Sequence, residues 1–176
     1  MIFMEGGGTQ VPGDDLLEPI TALHWAATQA GVFQVRTENA RELTDWLVPR
    51  TGKFASVPEL TELGVSAAGG RVVHLNRHTL AMALYRDYDG VVPDITLLEA
   101  GPDFAWPADT GTVEVVDGVP VHRTRFRRME VAAFTRGEVT CILISLDDAD
   151  AMDRVVRAFL GAAGGPAPLA TEDPIG

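Results

Sequence analysis

Residues 112–126 read TVEVVDGVPVHRTRF, two runs of β-forming residues either side of Asp117-Gly118. Asp-Gly between two such runs is a strong signal for a two-residue hairpin, because both turn positions need a positive φ. Strands joined so tightly pair antiparallel, since a parallel crossover needs about a dozen residues or more. The same grammar extends in both directions. Residues 71–75 and 79–85 flank a short turn at Asn76-Arg77, Asp89-Gly90 marks the next turn, and 95–98 reads as a strand. Residues 131–134 and 139–146 flank a turn at Arg136-Gly137, while 101–111 is a loop holding Phe104 and Trp106.

Outside this run the period is helical. Leu16, Leu17, Ile20, Leu23, Ala27 and Ala30 recur at helical spacing, with Asp14 or Asp15 as cap and Gly31 as stop. A short extended piece, 32–36, follows. Asn39 and Glu42 have capping-box spacing and open a second helix, with Leu43, Trp46 and Leu47 inward and Pro49 as its end. Ser56 and Glu59 repeat the signal before a one- or two-turn helix closed by Gly64. Asp147 caps a last helix burying Met152, Val155, Val156, Phe159 and Leu160, and Gly161 closes it. Helices segregated from strands indicate an α+β fold. The expectation is a mostly antiparallel sheet of about six or seven strands, with helices on the N-terminal side and one C-terminal helix. One domain spans 14–160, between flexible tails at 1–13 and 161–176.

The chain has 176 residues and a net charge of −11, from 25 acidic and 14 basic residues. So negative a chain repels nucleic-acid phosphates unless its basic residues are segregated, so no nucleic-acid partner is expected. A single cysteine, Cys141, excludes an internal disulfide and any four-cysteine zinc site. No apolar run approaches the ~20 residues needed to span a bilayer. Residues 1–13, MIFMEGGGTQVPG, lack the basic and apolar regions of a signal peptide. As written, the chain is expected in the cytoplasm; an excised fragment would instead be extracytoplasmic.

His74 and His78 are four apart, a zinc spacing on a helix, but here they straddle a hairpin turn. Leu75 then faces His78 and His74 faces Thr79, which sends the imidazoles to opposite sides of the sheet. No metal and no cofactor is expected. His24 sits beside the apolar stripe of the first helix and reads as half-buried and hydrogen-bonded. Cys141 lies in the apolar run VTCILI and reads as a buried, inert thiol. Residues 122–128, HRTRFRR, are the sharpest local feature. Arg123, Arg125 and Arg127 alternate, so on a regular strand they share one face and could hold an anion or an acidic partner; a solvated face paired with nearby carboxylates is the plainer reading. Trp106, with Phe104, could form a lid over that stripe. There is no phosphate-binding glycine loop and no nucleophile elbow. No catalytic residue is therefore assigned, although an enzyme with a dispersed site using His24, His122 and surrounding acids stays open.

Three segments carry a family resemblance. These are DWLVPRTGKFASVPELTELGVSAAGGRV (45–72), LAMALYRDYDGVVPDITLL (80–98) and RMEVAAFTRGEVTCILISLDDADAMDRVVRAF (128–159). Together, over 35–160, they resemble the extracytoplasmic C-terminal domain of bacterial transmembrane anti-sigma factors of the zinc-binding class. The shared pattern is a tryptophan-containing helix, a Pro-Glu-Leu turn, a Gly-Gly-Arg entry into the sheet, paired strands around a Gly turn, and a hairpin leading to a last helix. Phe134 stands where that family usually has Trp, and HRTRFRR is not part of its pattern. The family's zinc domain and membrane helix have no counterpart in this sequence. The resemblance implies a non-enzymatic regulatory or sensory domain that binds a protein partner or a small ligand, with no catalytic residues to carry over. The alternative is a small anion- or ligand-binding domain using Arg123, Arg125 and Arg127. Unpaired strand edges also leave a homodimer open.

Overall fold

A computed structural model describes residues 13–30, 32–52, 54–146 and 148–163. All seven expected strands form, as β1 (Ser66–Leu75), β2 (His78–Arg86), β3 (Ile95–Ala100), β4 (Thr112–Val116), β5 (Val119–Phe126), β6 (Met129–Arg136) and β7 (Val139–Leu146). They make one sheet in the order β1-β2-β3-β7-β6-β5-β4, antiparallel throughout. Two runs of hairpins, β1 to β3 and β4 to β7, are thus joined side by side through β3 and β7. The 101–111 loop must then cross the ends of β7, β6 and β5 to reach β4 at the far edge.

Three helices cover the sheet: α1 (Gly13–Ala30), α2 (Ala40–Leu47) and α3 (Ala149–Ala163). On one face Leu16, Leu17, Ile20 and Ala27 of α1 pack over Leu80, Met82, Leu84, Leu98, Ile142 and Ile144. On the other, α2, residues 55–65 and α3 pack over Ala83, Tyr85, Leu97, Phe134 and Leu143. Strands β2, β3, β6 and β7 are therefore buried on both sides and read as near-continuous apolar runs. β4 is exposed over four of its five residues, and much of β5 is only half-buried. That end of the sheet projects past the helices.

Several boundaries differ from the sequence expectation. The Asn39 side chain does accept the Arg41 and Glu42 amides at the start of α2. Ser56 and Glu59 open no helix: only a single 3-10 turn, Thr61–Leu63, forms, closed by Gly64 in the left-handed region. The Ser56 N–H is taken by Glu99 instead. Positions 14 and 15 lie inside α1, and α3 runs through Gly161 to Ala163. The α3 cap is Asp148, whose carboxylate accepts the Ala151 amide at 3.0 Å. Asp147, Gly31, 1–12 and 164–176 fall outside the described residues, so the expected caps there and most of both tails do too. Among the described residues, no helix is long and apolar enough to cross a membrane.

The two sheet edges are unequal. Along β1 the expected extended piece crosses close by, and Val35 bridges Gly70. The Gln34 and Val35 amides both donate to the Gly70 carbonyl, and the Gly70 amide returns to Val35. The Gln34 side-chain oxygen accepts the Val72 amide at 2.8 Å. Glycine is needed here because a Cβ at Gly69 would sit 2.6 Å from the Val35 oxygen, and one at Gly70 2.5 Å from the Met82 oxygen. No described segment lies along the outer side of β4.

Candidate functional site: the β4–β5 end of the sheet

The hairpin at Asp117-Gly118 has both turn residues at positive φ, 49° and 80°, as a two-residue turn of this kind requires. Its register sets which backbone groups are free. Val116↔Val119 closes the turn as a hydrogen-bonded pair, so Glu114↔Val121 and Thr112↔Arg123 are bonded and the two pairs between are not. Val113 and Val115 therefore turn their N–H and C=O away from β5, toward the open side. Their side chains are 56% and 70% exposed. Pro120, opposite Val115, has no N–H to give on its β6 side. Pairing of β5 with β6 accordingly stops at His122↔Ala133.

The arginines do not line up as one stripe. Arg123 is on the α3 face, with only 12% of its side chain exposed. Its Nη1 donates to Glu114 at 2.9 Å and to the Asp153 carboxylate on α3. Nη2 lies 3.7 Å from Glu130 on β6. Burial opposes its charge, but Asp153 and Glu114 outweigh that and hold the guanidinium more firmly protonated. This arginine ties three strands to α3. Arg125, on the same face and directly opposite Glu130, is exposed. Arg127 lies outside the strand altogether. Arg127 and Arg128 form the β5–β6 turn, with φ of 47° and 66°. Arg127 then reaches back over the Phe126 ring to Glu18 of α1 at 3.3 Å, on the other side of the sheet. Trp106 packs with the α1-face cluster, so the sheet separates it from Arg123 and Arg125. The four expected residues do not converge.

The histidines are scattered as the hairpin register dictates. Leu75 pairs with His78 and His74 with Thr79, which puts the two imidazoles on opposite faces. His78 Nδ1 is 3.4 Å from the Asp103 carboxylate, and its ring meets Phe104 edge-on. His24 is more deeply buried than expected, at 1% exposure. Nδ1 lies 2.7 Å from the Thr96 hydroxyl, while Nε2 has no partner among the described residues. Burial pushes its pKa down to about 4, against a small upward pull from Asp94. His24 sits over β3 and His122 on β5, with β7 and β6 between those strands. Among the described residues no three His, Cys, Asp or Glu side chains are grouped to hold a metal ion.

Sequence reasoning missed one buried polar centre, on the α2/α3 face. Glu99 is fully buried and accepts the Ser56 amide at 3.0 and 3.2 Å, while Arg136 Nη2 reaches it at 3.2 Å. The same Nη2 donates to the Ser56 carbonyl at 3.3 Å, so the pair clips both backbone groups of one residue. Burial raises the Glu99 pKa to about 7, opposed by the Ser56 amide and Arg136. Cys141, opposite Glu99 in the register, is buried as expected, and burial together with Glu99 pushes its thiol up to about 12. A thiol so protonated is a poor nucleophile. No local signal marks Glu99, because its partners lie 43 and 37 residues away in sequence.

No protein-family model, curated protein or solved structure matches this chain.

Proposed function

We propose that this chain is a non-enzymatic regulatory or sensory domain that works by binding a protein partner, which adds an extended strand to β4. The reading agrees with what the resemblance to anti-sigma factor C-terminal domains implies. The observation that carries it is the asymmetry of the sheet: one edge is sealed by 34–35, and the other offers two exposed valines with outward backbone groups. Open apolar edges are ordinarily blocked or charged, because they template pairing with another chain. Strand addition uses such an edge for affinity and alternate side-chain positions for specificity.

Charge selects the partner. A two-fold pairing of β4 with a second copy that uses both outward residues is centred on Glu114. It sets Glu114 against Glu114, and like charges directly opposite are destabilising. A net charge of −11 adds to that repulsion. The fitting partner is instead an extended segment of another protein, with apolar residues facing Val113 and Val115 and a Lys or Arg facing Glu114. The anion-binding alternative through Arg123, Arg125 and Arg127 is weaker, because Arg123 is already ringed by three carboxylates.

The test is a titration of the isotope-labelled protein with a short synthetic peptide of alternating Val and Lys. Two controls are the same peptide with Glu for Lys, and a version N-methylated at every residue so that neither of its edges can pair. Saturable shifts and slowed exchange at the Val113 and Val115 amides with the Lys peptide alone are expected. Equal effects from all three peptides, or shifts away from β4, would remove the reading. Concentration-dependent dimerisation that protects the same amides without peptide would replace the heterologous partner with a second copy.

A further inference from the structure

Past Pro120, where β5 leaves β6, the 101–111 loop crosses the α1 face of the sheet and leaves a hollow of about 300 Å³. Phe104 and Trp106 roof it; Pro120, His122, Ala133 and Thr140 are among the residues beneath. The Thr140 hydroxyl donates to the Phe104 carbonyl at 3.4 Å and pins the roof to the sheet. Two residues lining this space keep a buried nitrogen with no partner among the described residues: the indole Nε1 of Trp106 and Nδ1 of His122. An indole N–H can only donate. Left unpaired in a buried place, such a donor is destabilising.

We propose that this hollow is a binding site for one small, mostly apolar molecule carrying an oxygen acceptor, a carbonyl or a carboxylate. The size follows from the volume. A cavity of about 150 Å³ takes one benzene ring, so this one takes roughly two fused rings, at the small end of ligand sites. The apolar body follows from the lining, which contains no Asp, Glu, Lys or Arg side chain. The acceptor follows from the unpaired Trp106 N–H, which is closed to water in the empty hollow and would turn toward a bound oxygen, with His122 as a second polar contact. None of this depends on strand addition at β4, although His122 is the cross-strand neighbour of Val113.

The experiment uses three probes on the full chain: 2-naphthoate, 2-acetylnaphthalene and naphthalene. Each is titrated while the three indole N–H resonances of Trp25, Trp46 and Trp106 are followed. Both acceptor probes should saturate and move the Trp106 resonance downfield, leaving Trp25 and Trp46 in place. Naphthalene should bind about tenfold more weakly, the difference one hydrogen bond makes. Trp106→Phe should bring the acceptor probes down to the naphthalene level. Should that variant not fold, Thr135→Trp places a bulky ring at an exposed lining position and should abolish binding of all three. Naphthoate binding that weakens as the pH falls through the acid's own pKa would identify the carboxylate as the preferred acceptor. Tighter, pH-independent binding of the ketone would identify the carbonyl. The site is refuted if no probe moves the Trp106 resonance, if all three bind equally well, or if the shifts map to Trp25. Such a failure leaves the β4 reading standing, because that is read from the Val113 and Val115 amides.

Discussion

His24 is the residue through which acidity should loosen the fold. Its imidazole is held between α1 and β3, bonded to Thr96 and 1% exposed. In the unfolded chain its pKa is near 6.5, and burial lowers it to about 4 in the folded protein. Between those values the unfolded state binds the extra proton, so stability rises with pH across the window. The contribution is complete above pH 6.5 and is lost as pH falls toward 4. At ~1.4 kcal/mol per pH unit, the full loss is about 3 kcal/mol, of which about 2 kcal/mol is gone by pH 5. The value of about 4 already includes the opposing charge of Asp94, which favours the imidazolium. The perturbation is His24→Gln, which keeps a hydrogen-bonding side chain but cannot titrate. Urea unfolding of both proteins from pH 7.5 to pH 4.5 provides the comparison, and titrations common to both cancel in the difference. The wild type should lose about 2 kcal/mol more than the variant between pH 7 and pH 5. Parallel curves would show that His24 is solvated or compensated, and the account of α1 docking would be wrong.

Three further outcomes follow from the packing. Arg123→Ala should lower stability by ~2–3 kcal/mol, because it takes a half-buried guanidinium from three carboxylates, among them Glu130 with only 10% of its side chain exposed, and removes its link between β4 and α3; Arg125→Ala, at an exposed position, should change it by about 0.5 kcal/mol or less in the same denaturant assay. Gly70→Ala should cost at least ~2 kcal/mol, since the new methyl meets the Met82 oxygen at 2.5 Å and Leu43 at 2.7 Å; calorimetry would show the drop, and a variant melting with the wild type would contradict the close packing of α2 and β2 against β1 at this point. Cys141, its thiol pushed up to about 12, should resist a thiol-reactive disulfide reagent in the native protein and react at once in denaturant; fast native labelling would place it at the surface.

How much of this was readable beforehand varied by element. The strands were legible because their turns use residues that demand special backbone angles: Asp117-Gly118 and Asn76 all adopt positive φ. The β5–β6 turn was not, since Arg127 and Arg128 take left-handed angles that non-glycine residues seldom adopt. Nothing in HRTRFRR marks it: the sequence ends the strand at Phe126, yet the alternation of arginines carries one residue further and places Arg127 on the face of Arg125. The opposite orientation of His74 and His78 followed from counting across a two-residue loop. The order in which the two hairpin runs join was hidden, because β3 meets β7 across 40 to 50 residues of sequence and no local signal specifies such a pairing. That one pairing brings Glu99 opposite Cys141, and sends the Trp106 loop across the face away from Arg123. The open edge was foreseeable only in general terms. Which strand would be left outermost depended on the same hidden join.

The contrast between the two edges can be measured directly by amide hydrogen exchange on the free protein. The Gly70 and Val72 amides, on the β1 edge, donate to Val35 and Gln34 and should exchange slowly. The Val113 and Val115 amides should exchange near the rate of unstructured backbone, while their neighbour Glu114, bonded across to Val121, is protected. Protection of Val113 and Val115 equal to that of Val72, in a protein shown to be monomeric, would mean that β4 is already covered, and the proposed docking edge would not exist.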